Sequence, residues 1–301
     1  MIYTLTLNPS IDYIMHIDNF IDGKTIRSIN EAKYPGGKGI MVSKLLKNLG
    51  DNPTNLGFIG GYTGDFIVDA LNELEINEEF TKINGDTRIN IKLKYDHETE
   101  INAGGPDISE DEKNAFLDQV KGLDKNSILI ISGSVSRSLG QNFYKEILEL
   151  NDFDFTIDVA GKELLTYLAY KPLLVKPNID ELSEIFDAEI SRDNVVKYAR
   201  RLYDLGAQNV IVSMGGDGSV FVNGECALLA KPISGELINS VGAGDSMVGG
   251  FIHGIKNGKS SKEAYKLAVA SGTATAFSED IASKEKIEEI LNKVEVIDYG
   301  N

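Results

Sequence analysis

Five short apolar runs punctuate the chain: IYTLTL (2–7), SILIIS (127–132), FDFTIDV (153–159), LLVKP (173–177) and NVIVSM (209–214). Each is rich in Ile, Val or Leu and runs into Gly, Pro, Asn or Ser, as short strands buried on both faces do. Amphipathic stretches lie between them. SEDEKNAFLDQVKGL opens on Ser109 with Glu112 three residues later, a capping box. SRDNVVKYARRLYDLG stops on Gly206, a residue suited to ending a helix. Repeated β-α-β units of this kind predict an α/β fold, a mostly parallel sheet with helices on both faces.

Two regions break the rhythm. Residues 11–34 and 86–102 alternate apolar and polar positions without a helical period. Within the second, TRINIKLKYD followed by ETEIN predicts a half-exposed hairpin around His97. The two regions together predict one small antiparallel sheet, inserted twice and standing off the main sheet as a lid or a dimer surface. No repeat, low-complexity tract or long linker divides residues 1–301, which read as a single domain.

Composition narrows the setting. With 301 residues, 42% hydrophobic and 25% charged, the chain can bury a large core without staples. Cys226 is the single cysteine, so no intrachain disulfide forms, which fits a reducing cytoplasm. No apolar run has the length of a membrane span, and MIYTLTLNPS lacks the features of a signal peptide. The formal net charge of −16 makes nucleic acid and anionic membranes poor partners. An anionic small substrate would have to be met by a local cluster of Lys and Arg.

In open α/β sheets, ligands bind beyond the carboxyl ends of the strands, so the residues there carry the candidate chemistry. No G-x-x-x-x-G-K-[ST] occurs, and the first strand runs into Asn8-Pro9-Ser10 instead of a dinucleotide fingerprint. In NSVGAGDSMVGGF, Gly242, Ala243 and Gly244 leave backbone N–H groups bare ahead of a helix expected over 246–258. Such groups bind phosphate or a developing oxyanion. Asp245, directly behind them, is either the helix cap or a catalytic base. Gly36, Gly37 and Gly39 surround Lys38 before another helix, either as a tight loop or as a cation beside an anionic or polyhydroxyl ligand. Ser213, Gly215 and Gly218 lie in VSMGGDGS, a turn or a backbone shelf for a nucleotide. Asn178 and Glu181 fit a capping box; alternatively Glu181 approaches Mg²⁺ through water, with Lys176 and Asn178 near nucleotide phosphate. Asp12 is a turn residue or an acceptor for sugar hydroxyls. His16, His97 and His253 form no metal motif, and Cys226 falls in a hairpin without a catalytic partner.

Gly36-Gly37-Lys38-Gly39, Asn178-x-x-Glu181 and the segment 239–250 occur in an order that resembles the ribokinase-like carbohydrate kinases, the PfkB family, over nearly the whole chain. Within it, TLTLNPSIDYIMHID, YPGGKGI, GDTRINIKLK and ETEINAGGP are similar to the bacterial 1-phosphofructokinase branch. Tagatose-6-phosphate kinases share NPSID, GGKG and much of the C-terminal motif. The resemblance implies a three-layer α/β/α ribokinase-like fold whose β-sheet lid pairs with a second subunit. It implies transfer of the γ-phosphoryl group of ATP, with Mg²⁺, to the 6-hydroxyl of fructose 1-phosphate. Asp245 is then the base, and the amides of Gly242, Ala243 and Gly244 face the transferring phosphoryl group. Glu181 stands in the outer shell of Mg²⁺. Gly36 and Gly37 border the sugar, and Lys24, Lys38, Arg88 and Arg137 are the candidates for its phosphate. Asp12 and Asn90 serve its hydroxyls. Lys176, Asn178, Ser213, Gly215 and Gly218 face ATP. Met41 departs from the family, which usually has Asn there, so no sugar contact is carried over to it. A non-catalytic sugar-phosphate sensor would be expected to lack the base; Asp245 is present.

Overall fold

The structure, a computed structural model, describes residues 1–140 and 142–299. Among them, eleven strands form the main sheet, with Ile2–Thr6 between Thr54–Ile59 and Ile128–Ser132. Parallel pairing continues outward through Asp154–Asp158, Leu174–Val175 and Asn209–Ser213 on one side. On the other it reaches Asn77–Glu78, and Thr81–Lys82 extends it. Ser219–Asn223, Ala227–Ala230 and Val296–Asp298 then close one edge antiparallel. The five strands expected from the apolar runs all form, within a residue or two of their bounds.

Alternating strand residues feed two cores. Leu5, Leu129, Ile157, Val210 and Val212 pack with Phe116, Phe143, Leu182 and Ala199 from helices on one face. Ile2, Ile130, Leu174 and Ile211 pack with Leu45, Val248, Phe251 and Ala268 from helices on the other. That is the expected three-layer α/β/α arrangement. The Ser109–Glu112 capping box forms at the helix Glu110–Lys121. Gly206, at φ 133°, follows the helix Val195–Asp204 as anticipated.

The lid is a separate four-stranded sheet, ordered Asn30–Gly36, Ser10–His16, Arg88–Lys94, Glu98–Ile101. Each hairpin is antiparallel, but the two hairpins meet along a parallel pair, Ser10–His16 with Arg88–Lys94. This differs from a wholly antiparallel sheet for a topological reason. The first strand of each insert follows a main-sheet strand, Ile2–Thr6 or Thr81–Lys82. Those belong to the same parallel array, so both inserts depart in one direction.

Candidate active site

A cleft of about 970 Å³ lies between the carboxyl ends of the main-sheet strands and the lid. Lys38, Arg88, Asn90, Arg137, Asp158 and Asp245 are among its lining residues. The side-chain hydroxyls of Thr6 and Ser132, both on its walls, are buried without a hydrogen-bond partner.

The helix that carries Asp245 runs from Ala243 to Lys256, three residues earlier than expected. Gly242 takes the cap position in the left-handed conformation, φ 78°. Glycine adopts that conformation without the steric penalty other residues meet. Asp245 therefore sits inside the first turn and makes no capping hydrogen bond. Asn239 instead closes a local turn, accepting from the Val241 amide at 3.0 Å. The Ala243 amide donates to the Ser240 carbonyl at 3.3 Å, and the first turn, the positive end of the helix dipole, brings Asp245 to the cleft wall beside Val241.

Around Asp245 stand three further charges. Asp158, buried at the end of its strand, pairs with Lys38 at 3.1 Å and lies 3.9 Å from Lys176. The Lys176 ammonium reaches Gly244 so closely that a Cβ there would meet it at 3.0 Å. Burial and the neighbouring Asp158 charge raise the Asp245 carboxyl to about 7, and Lys38 and Lys176 offset this only in part. Burial acts on Asp158 too, but Lys176 and Lys38 outweigh it and hold that carboxyl below its ordinary value. Two largely buried carboxylates on the cleft wall thus have opposite shifts, one ionised and one able to exchange a proton near neutrality.

Asp12, Arg88 and Asn90 share one face of the lid, while Lys38 begins a helix and Arg137 lies in a turn after Ile128–Ser132, both also on the cleft wall. Asp12 Oδ1 accepts from the Ser10 hydroxyl at 2.8 Å and from Asn90 Nδ2 at 3.2 Å. Arg88 is partly committed: its Nε donates to the Asn8 carbonyl at 3.1 Å and Nη1 to that of Ala103 at 2.8 Å. Arg137, in the 3-10 turn Arg137–Leu139, is exposed to the cleft, and its side chain makes no hydrogen bond or ion pair among the described residues. Gly36 ends a lid strand, and Gly37 caps the helix whose first residue is Lys38. Lys24 does not join them. It is exposed in the loop beyond His16, and Ser10 to His16 spans about 20 Å of extended chain from the cleft to that loop.

On the opposite side, the local readings of the nucleotide candidates hold. Asn178 and Glu181 form a reciprocal capping box, each side chain accepting from the other's amide at 2.8 Å. Ser213 ends a strand, bridges to Asn178, and leads through the 3-10 turn Gly215–Asp217 and Gly218 into Ser219–Asn223. Glu181 keeps Oε1 outside the capping box. No group of three or more candidate metal ligands occurs among the described residues. The donor set suits a cation that retains water and leans on substrate phosphates, as Mg²⁺ does.

Residues 5–287 match the description of the pfkB family carbohydrate kinases. The chain belongs to this family. It is 45% identical to the 1-phosphofructokinase of Bacillus subtilis over 98% of its length and 99% of that protein's. It is 42% identical to that of Borreliella burgdorferi, over 99% of both. A tagatose-6-phosphate kinase of Staphylococcus epidermidis is 30% identical, over 99% of this chain and the whole of that one. Among solved structures, phosphofructokinase-2 from Escherichia coli in complex with substrates and products superposes with a TM-score of 0.91 at 28% identity, covering 97% and 98% of the two chains.

Four charged residues of this pfkB kinase cleft escaped the sequence reading: Lys92, Glu100, Asp158 and Glu163. Asp158 closes an apolar strand, where a lone polar residue at the carboxyl end is itself a signal. Lys92 lies two residues beyond Asn90 on the face of the lid that lines the cleft. Strand periodicity in RINIKLK places Arg88, Asn90 and Lys92 together, so the alternation already contained it.

Proposed function

We propose that this chain transfers the γ-phosphoryl group of ATP to the 6-hydroxyl of fructose 1-phosphate. The observation that carries the reading is Asp245: a buried carboxyl near pKa 7, in the first turn of a helix that starts at the cleft wall. A base with that proton affinity is well matched to taking a hydroxyl proton at neutral pH. Asp245 accepts the proton from the 6-hydroxyl as that oxygen attacks. The amides of Gly242 and Gly244, with Lys38 and Lys176, stabilise charge on the phosphoryl oxygens, and that of Ala243 joins them once it leaves the Ser240 carbonyl. Arg137 and the remaining donors of Arg88 hold the sugar's phosphate, and Asp12 with Asn90 orients its hydroxyls. Mg²⁺, held through Glu181 and water, would offset the triphosphate charge. Ser213, Gly215 and Gly218 border the nucleotide. A dimer closed through the lid, in a reducing cytoplasm, fits the outward apolar face of the lid and the single cysteine.

The specificity follows the more similar relatives. The test compares kcat/KM with ATP and Mg²⁺ for fructose 1-phosphate, tagatose 1-phosphate, tagatose 6-phosphate, fructose 6-phosphate and free fructose. Fructose 1-phosphate is expected to lead by more than about tenfold, a difference of roughly 1.4 kcal/mol in transition-state binding. A lead by tagatose 6-phosphate would move the chain to the other branch. Equal use of free fructose would remove the phosphate-binding cations from the mechanism. Tight binding of a sugar phosphate without turnover would make it a sensor.

A further inference from the structure

Lys92 is an unusual residue to bury. Its side chain is 11% exposed, although lysine rarely leaves water unless paired. Its ammonium lies 3.7 Å from Asp12 Oδ2 and 3.3 Å from Glu100 Oε1, and the three groups line the sugar end of the cleft. Asp12 Oδ1 is already fixed by Ser10 and Asn90. Oδ2 faces Lys92. Two neutral donors on one oxygen leave the carboxylate free to turn about its own axis; a cation beside the other oxygen removes that freedom. Arg88, the next cation on the same strand face, has two donors committed to backbone carbonyls. Glu100, directly opposite Lys92 in the hairpin register, holds the ammonium from the other side. Lys92 is therefore committed to carboxylates and is not a loose cation awaiting a phosphate.

We propose that Lys92 is a positioning residue that fixes Asp12 for hydroxyl recognition and so sets the affinity for the sugar phosphate. This rests on the kinase reading above. Removing the cation leaves Asp12 a half-buried carboxylate with one oxygen uncompensated, which disorders the acceptor before substrate arrives. The chemistry at Asp245 is untouched.

The test is steady-state kinetics of the full chain with fructose 1-phosphate at saturating MgATP, for wild type, Lys92→Met, Lys92→Arg and Lys94→Met. Lys94 pairs with Glu98 across the same hairpin and serves as the control for a merely structural ion pair. Lys92→Met should raise KM about tenfold while kcat stays within about threefold, the pattern of lost binding common to ground and transition states. Lys92→Arg should recover most of the loss, and Lys94→Met should stay within about twofold of wild type. In an Asp12→Asn background, Lys92→Met should add little, because partners in one contact are not additive. A KM for Lys92→Met within threefold of wild type overturns the proposal. Full additivity with Asp12→Asn, or an equal loss in Lys94→Met, overturns it too. A wild-type enzyme that turns over while Lys92→Met behaves normally sinks this proposal alone; a wild type that phosphorylates no ketose phosphate sinks the kinase reading and this with it.

Discussion

Asp245 is the residue at which stability and function pull in opposite directions. Its carboxyl rises from 3.8 to about 7 because burial and Asp158 disfavour its charge. A carboxyl raised by folding stabilises the protein fully only below its unfolded value, and that contribution is lost as pH rises through about 7. Asp245→Asn should therefore raise the melting temperature by several degrees at about pH 8, reflecting a few kcal/mol of relieved charge burial. The gain should shrink toward zero near pH 4, where the wild-type carboxyl is itself neutral. The same substitution should lower kcat by about 10²–10⁴-fold and leave substrate KM broadly intact, because it removes the proton acceptor alone. The acid limb of wild-type kcat/KM should fall near pH 7. Calorimetry across pH and a pH–rate profile check the pair; a variant within fivefold of wild-type kcat, or one that loses stability at pH 8, contradicts this account. Gly-Ala-Gly-Asp was legible in the sequence because its chemistry is local, four consecutive residues at one helix start. Asp158 was not, since its partners Lys38 and Lys176 come from other elements, and only the fold brings the three together.

At the level of elements, helix starts do most of the placing. Three of the helices that bound or flank the cleft begin with Lys38, Ile179 and Ala243, and each follows a strand or an extended segment at the carboxyl edge of the sheet. The capping box Asn178–Glu181 shows how one side chain can serve both structure and ligand. One Glu181 oxygen closes the helix, and the other remains open. Glutamine at that position keeps the reciprocal hydrogen bond but loses the charge. Glu181→Gln should change stability by less than about 1 kcal/mol, within the range of a retained cap. If Glu181 draws Mg²⁺ through water, the Mg²⁺ concentration for half-maximal velocity should rise several-fold. Thermal melts beside a Mg²⁺ titration separate the roles, and an unchanged titration would leave Glu181 a cap alone. The lid hairpins were visible from their alternation, but the parallel seam between them was not: strand direction depends on where each insert leaves the main sheet, which no local pattern encodes.

For the molecule as a whole, the lid presents an inverted pattern. On Arg88–Lys94 the polar Asn90 and Lys92 are buried toward the cleft, while Ile91 and Leu93 are only half covered. The register puts Tyr13, Met15, Ile91, Leu93 and Ile101 on the same outer face. Ile101 is 54% exposed, and Phe20, Ile21 and Ile29 add further apolar surface in the adjoining loop. An exposed apolar patch of this kind, edged by Glu31 and Lys33, is normally covered. A second copy of the lid offers one that is self-complementary, as twofold symmetry requires. The chain should sediment at twice its 32.9 kDa mass at micromolar concentration. Ile101→Glu provides the sharper test. In a monomer the side chain already meets water, so the substitution should cost the fold little, within about 0.5 kcal/mol. In a lid-to-lid dimer it buries an unpaired charge at the interface, which is strongly unfavourable. The variant should therefore be a folded monomer with an unchanged melting profile at low concentration and a raised KM for the sugar phosphate, since the lid would lose its brace. A wild type that runs as a fully active monomer, or an Ile101→Glu variant that remains dimeric, would assign this apolar face to something other than a second copy of the lid.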